Sequence, residues 1–126
     1  MTAHTLTVPI PRPPMSLNQQ RRAHWTAVRT AKTEVEFWVR QAARAARLPH
    51  LARAHVEVVW FAPDKRRRDA DSLAPFLKGT LDALVAGGWL PDDDHRHVPT
   101  VTMSITVDTA DPRIEVRITD LQPEAA

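Results

Sequence analysis

The residues best suited to chemistry begin in one short stretch, Lys65-Arg66-Arg67-Arg68-Asp69-Ala70-Asp71-Ser72, where four consecutive cations run into two carboxylates one residue apart. Downstream stand Lys78, Asp82 and the acidic triplet Asp92, Asp93 and Asp94. A polycation gathers polyanions and carboxylates repel them, so the two signs side by side call for a ligand that wants both. Hard divalent cations such as magnesium take oxygen ligands and keep several waters, so carboxylates converging from separate segments can hold one beside a substrate phosphate. Such an ion neutralises charge on the phosphate and activates water, alone or as one of a pair. Cations for a DNA or RNA backbone, set against carboxylates for a metal, reconcile the signs. Each part also has a plainer structural use: Asp71 as a helix cap, Asp69 at the positive end of a helix dipole, Lys78 and Asp82 as an i,i+4 ion pair. The combination is much less common than its parts.

The rest of the chain must position these groups. With 126 residues, 43% hydrophobic and 25% charged, it has the size and balance of one soluble globular domain, expected to span residues 1–126 with 1–4 and 121–126 frayed. The net charge of +2 conceals a division: residues 1–68 hold 13 Lys and Arg against 4 Asp and Glu, whereas residues 69–126 hold 4 against 11. That asymmetry suggests a basic surface for an anionic partner and a separate acidic cluster. The absence of cysteine excludes thiolate catalysis, disulfides and cysteine-based zinc sites and is compatible with a reducing cytoplasm. No apolar run approaches a membrane span, and the N-terminal segment lacks the long apolar core of a signal peptide, so a cytoplasmic protein without membrane association is expected.

Periodicity predicts the elements. Leu6, Val8 and Ile10 alternate as in a strand, with Pro9 and Pro11 pushing it to a sheet edge or strand end. The Pro-rich segment from Pro11 to Trp25 reads as an extended surface loop carrying Asn18, Arg21, Arg22 and His24. From Trp25 to Arg47, Val28, Ala31, Val35, Trp38, Val39, Ala42 and Ala46 recur at helical spacing, and Pro49 follows. A strand over residues 54–61 precedes the basic run. A second helix should begin near Asp71 or Ser72 with Pro75 in its first turn, bury Leu73, Phe76, Leu77, Leu81, Leu84 and Val85, and stop at Gly87 and Gly88. At about 100° per residue, Asp71, Lys78 and Asp82 would lie along one stripe of that helix, away from its apolar face. Residues 101–107 and 113–119 alternate as two strands joined by a turn over 108–112, predicting a hairpin. The sum is an α+β domain of βαβαββ order, a mixed sheet with two helices packed on one face.

At these residues the chain resembles the RusA family of Holliday junction resolvases. The family signature is a basic run followed by Asp-x-Asp-Asn-Leu, a downstream Lys, Asp-Ala-Leu and an Asp-Asp pair; here the text reads "RRRDADSL", Lys78 and "LDALVAGGWLPDD". The resemblance extends in weaker form over most of the chain, including the segment "LNQQRRAHW". It implies that Asp69, Asp71 and Asp93 bind Mg2+, with Mn2+ as a substitute, and that Lys78 is catalytic. It implies further a homodimer that cuts branched DNA, the four-way Holliday junction, by paired symmetric nicks in recombination and repair. Ser72 stands where the family usually has Asn, and Lys78 lies seven residues after Asp71 rather than four.

Lys65, Arg66, Arg67 and Arg68 are expected to contact DNA phosphates, with Arg21 and Arg22 beside them. His95 and His97 could ligate metal but are more simply loop residues, and Trp25 could stack on an unpaired base. The rival readings are a catalytically weak or inactive DNA-binding protein and a nuclease preferring other branched nucleic acids.

Overall fold

The protein, described here by a computed structural model over residues 2–121, builds one sheet from four strands: β1 (Ala3–Val8), β2 (Ala54–Ala62), β3 (Val101–Val107) and β4 (Arg113–Asp120). Their order is β1-β4-β2-β3, with β4 antiparallel to both neighbours and β2 parallel to β3. Register lines up the alternating apolar residues across the sheet: Leu6, Val116, Val58 and Met103 form one row, and Val8, Ile114, Trp60 and Ile105 the next. One face is thereby apolar from edge to edge. The other carries a charged lattice in which Arg113 pairs with Glu115 at 2.9 Å and Asp108 at 3.0 Å while lying 3.8 Å over the Phe61 ring.

The apolar face is covered by α2 (Trp25–Ala45) and α3 (Ala74–Ala86). Helix α2 contributes Val35, Val39, Ala42 and Ala43 to the core, and α3 contributes Phe76, Leu77, Ala83 and Leu84. The fold is therefore α+β with a mixed sheet. Where the helices meet, a Cβ added to Gly79 would fall 2.8 Å from Val35 Cγ1 and 3.1 Å from its Cβ, so glycine is what lets the backbones close. Valine is stiff at χ1 and cannot swing away. Gly79→Ala should therefore lower stability by about 1–3 kcal/mol through overpacking, although alanine is the better helix former by about 1 kcal/mol. Urea unfolding of Gly79→Ala, with Val35→Ala added to restore room, measures this; an unchanged midpoint in the single variant would show the seam yields freely.

Several expectations are corrected by the structure. The strands over residues 101–107 and 113–120 form no hairpin, because β2 lies between β3 and β4. The segment after β3 instead passes the end of β2, where the Asp108 amide donates to the Ala62 carbonyl at 2.9 Å. Alternation specifies which face of a strand is buried, not which strand lies beside it. A short helix, α1 (Leu17–Arg22), replaces part of the expected loop, held by a capping box in which Ser16 Oγ accepts from the Gln19 amide and Gln19 Oε1 from the Ser16 amide. Residues Ala70–Leu73 form a 3₁₀ turn, and α3 starts only at Ala74, with Pro75 in its first turn. Asp71 thus does not share a helical stripe with Lys78 and Asp82, and Asp69, which precedes the turn, makes no side-chain cap. The first strand runs from Ala3 to Val8 and stops at Pro9. Ala3 and His4 pair with Thr119 and Ile118, and the Leu121 amide donates to the Arg53 carbonyl; Met1 and residues 122–126 lie outside the described residues. Helix α3 ends as expected, with Gly88 at φ 81°. Among the described residues no helix is long and apolar enough to cross a membrane.

Candidate nuclease site

The basic run leaves the C-terminal end of β2 and turns into the 3₁₀ segment, so its conformation sets where both carboxylates stand. Arg68 controls that conformation. Its guanidinium lies 4.7 Å over the Trp60 ring and donates to the Asp64 carboxylate at 2.7 Å, the Asp64 carbonyl at 2.9 Å and the Arg66 carbonyl at 3.1 Å. Its side chain is 15% exposed, against 82% for Arg66 and 92% for Arg67, so the run divides into one inward and several outward cations. The Arg66 amide, and then the Arg68 guanidinium, lower the Asp64 carboxyl below its ordinary range.

Asp69, Asp71 and Ser72 line one side of a groove of about 570 Å³, together with Arg66 and Arg67. Arg12, Ser16, Asn18 and Arg21 line it from the N-terminal segment, tied to the sheet where Trp60 Nε1 donates to the Pro11 carbonyl at 2.9 Å. Arg22 is exposed in the last turn of α1 but does not line the groove. Lys65 is likewise exposed and outside the lining. Ser72 also lines the groove, and its Oγ is buried without a hydrogen-bond partner among the described residues.

Lys78 and Asp93 belong to a second cluster. Lys78 Nζ lies 3.1 Å from Asp82 Oδ1 and 3.4 Å from Asp93 Oδ2, and Lys32 of α2 approaches Asp82 Oδ2 at 2.7 Å. Burial raises the Asp82 carboxyl, but hydrogen bonds from Lys32 and Lys78 outweigh it and leave the group below its ordinary range. The hydrogen bond to Asp82 likewise raises the Lys78 ammonium, with Asp93 adding to it against the pull of burial. Of the acidic triplet, Asp94 is committed to its own turn: it accepts from Arg96 Nη2 and His97 Nδ1, each at 2.7 Å, and these two groups hold its carboxyl well below the usual range. His97 is thereby a loop-building residue. Asp92 receives the Asp93 amide at 2.7 Å, which leaves Asp93 as the member of the triplet that meets Lys78.

One feature of this arrangement departs from the sequence expectation. Among the described residues no group of three or more His, Asp or Glu stands close enough to hold one metal ion, so Asp93 is not gathered with Asp69 and Asp71. The donors at the groove nonetheless suit a hard divalent cation, because magnesium is commonly held by one or two carboxylates and completed by water and substrate phosphate.

A model of the family described as endodeoxyribonuclease RusA matches residues 7–119. The chain belongs to that family. Asp69 and Asp71 at the groove and the Lys78–Asp93 pair all fall within the matched span. A curated relative, the crossover junction endodeoxyribonuclease rusA of Enterobacteria phage HK97, is 34% identical over 71 residues, which cover 56% of this chain and 55% of that protein. The match therefore spans about half the length of the relative. Neither Lys32 nor the Asp64–Arg68–Trp60 knot was expected from the sequence. Lys32 had no local signal, because its partner Asp82 is fifty residues away in the chain. Asp64 and Arg68 were separated by four residues, a spacing that marks a pair on a helix but carries no such meaning in a loop.

Proposed function

We propose that this chain is a divalent-metal-dependent endonuclease that cuts branched DNA, the four-way junction first among its substrates, as a cytoplasmic homodimer acting in recombination and repair. The observation that carries this reading is the groove itself, where Arg66, Arg67, Arg12 and Arg21 surround Asp69 and Asp71. The cations supply affinity for the DNA backbone, and the carboxylates would hold the metal, Mg2+ or Mn2+. When bound, that ion would supply neutralisation of phosphate charge and activation of water.

The protein's own groups do the rest. Arg66 and Arg67, outward and exposed, grasp phosphates without reading sequence. Lys78 would offer a fixed positive charge to oxygens that gain negative charge as the phosphodiester is hydrolysed. Asp93 and Asp82 would keep that ammonium in place. A two-fold dimer suits a junction of near two-fold symmetry, since each site then serves one strand.

Incubating the protein with a synthetic four-way junction, a flap, a fork and a linear duplex in Mg2+ or Mn2+ tests the reading directly. Paired nicks at symmetric positions of the junction are expected. Binding to the junction with no cut in any of the four DNAs would favour an inactive structure-specific binder, for which the separation of Asp93 from Asp69 and Asp71 is the motivating observation. Junction affinity should also fall with salt, and Arg66→Ala or Arg67→Ala should each weaken binding about equally on all sequences and reduce the salt slope by about 1. Fluorescence anisotropy at several salt concentrations, without metal, measures that slope; a slope unchanged in both variants removes these arginines from the interface.

A further inference from the structure

Six side chains of alternating charge run from α2 across the helix seam to the loop after α3: Arg40, Glu36, Lys32, Asp82, Lys78 and Asp93. Successive contacts are 3.7, 3.9, 2.7, 3.1 and 3.4 Å, and the tightest of them is the one that crosses between helices, at Asp82. Its two oxygens serve two different amines, Oδ2 taking Lys32 and Oδ1 taking Lys78. Helix α3 alone would not impose this geometry. An amine four residues before its carboxylate is the weaker orientation of an i,i+4 pair, and exposed pairs of this kind contribute little. A lysine stem also has considerable rotamer freedom to lose. The restraint has to come from outside the helix, and it comes from α2. Close approach at Gly79 and Val35 places Lys32, one turn before Val35, opposite Asp82.

We propose that Asp82, gripped from α2 by Lys32, is a positioning residue that holds the Lys78 ammonium against Asp93. Its consequence for catalysis rests on the reading of Lys78 as the charge that opposes the reacting phosphate. Asp82 touches no substrate in this scheme; it acts through Lys78. The lowered Asp82 carboxyl and raised Lys78 ammonium accord with the geometry.

Two measurements test it on the full chain. In 15N-lysine-labelled protein, a held ammonium exchanges its protons slowly enough to be seen, and the Lys78 signal is identified by its loss in Lys78→Arg. Asp82→Asn and Lys32→Met should both abolish that signal, and Lys32→Arg should keep it. In junction cleavage, Asp82→Asn should lower kcat by about 10- to 100-fold with KM for DNA little changed, the cost of a misplaced group. Adding Asp82→Asn to Lys78→Met should then slow the reaction no further. A Lys78 signal that survives in both Asp82→Asn and Lys32→Met overturns the proposal, as does a loss in the double variant that multiplies the two single losses. A signal that vanishes as expected in a protein that cuts no branched DNA leaves the positioning role standing and overturns the nuclease reading instead. Because Lys32→Met reports on the same restraint from α2, the test survives a poorly folded Asp82→Asn.

Discussion

Asp71→Asn should reduce cleavage of a four-way junction by about 10²–10³-fold or more while leaving the protein folded and able to bind the junction. The substitution keeps shape and removes a charge at an exposed position in the 3₁₀ turn, where surface changes ordinarily shift stability by no more than about 0.5 kcal/mol. What it removes is half of the anionic pair at the groove. Fewer oxygens are then left for a divalent cation, and phosphate charge goes unneutralised at the point where the chain's cations gather it. Binding without metal should hold or tighten slightly, since one carboxylate facing a polyanion is gone. Single-turnover cleavage in Mg2+ beside anisotropy without metal separates the two effects. Cleavage within tenfold of wild type would remove Asp71 from the machinery, and a parallel loss of binding would point to a distorted groove instead. Asp69→Asn should follow the same pattern.

Phe76→Ala should act in the opposite way, costing about 3–5 kcal/mol of stability and taking activity with it. Phe76 is among the largest fully buried side chains and sits on the first turn of α3, five residues after Asp71 and two before Lys78. Removing the ring deletes contacts within the core and leaves a cavity in the segment that carries both parts of the site. Against a total stability of about 5–15 kcal/mol, that loss brings the protein close to unfolding at physiological temperature. Urea melts should show a lower midpoint at an unchanged slope. A loss under about 1 kcal/mol would mean that the core closes over the gap. Together the two variants separate chemistry from scaffold: one should fold and not cut, the other should fail to cut because it scarcely folds.

Strand faces were readable in the chain because their signal is local. Residues 101–107 have a period of two whatever lies beside them, and β3 forms over that span. The helix end at Gly87 and Gly88 is local for the same reason, since glycine's backbone preference decides it. Even α1 had a local signature in Ser16 and Gln19, a capping pair three residues apart inside a segment whose prolines suggested a loop. Sheet order had none. Placing β4 between β1 and β2 depends on how whole strands bury their apolar rows together, and several orders satisfy the same alternation.

The site divides along the same line. Adjacency in the chain determined that Lys65 to Arg68 precede Asp69 and Asp71, and hence that cations and carboxylates would share one surface, because neighbours along a backbone cannot be far apart in space. Tertiary structure alone decided which of those charges are available. It turned Arg68 inward onto Trp60 and Asp64, set Asp93 rather than Asp94 against Lys78, and brought Lys32 from another helix onto Asp82. Side-chain partnership is a matter of distances of a few ångströms between segments far apart in sequence, and those distances exist only once the core has closed.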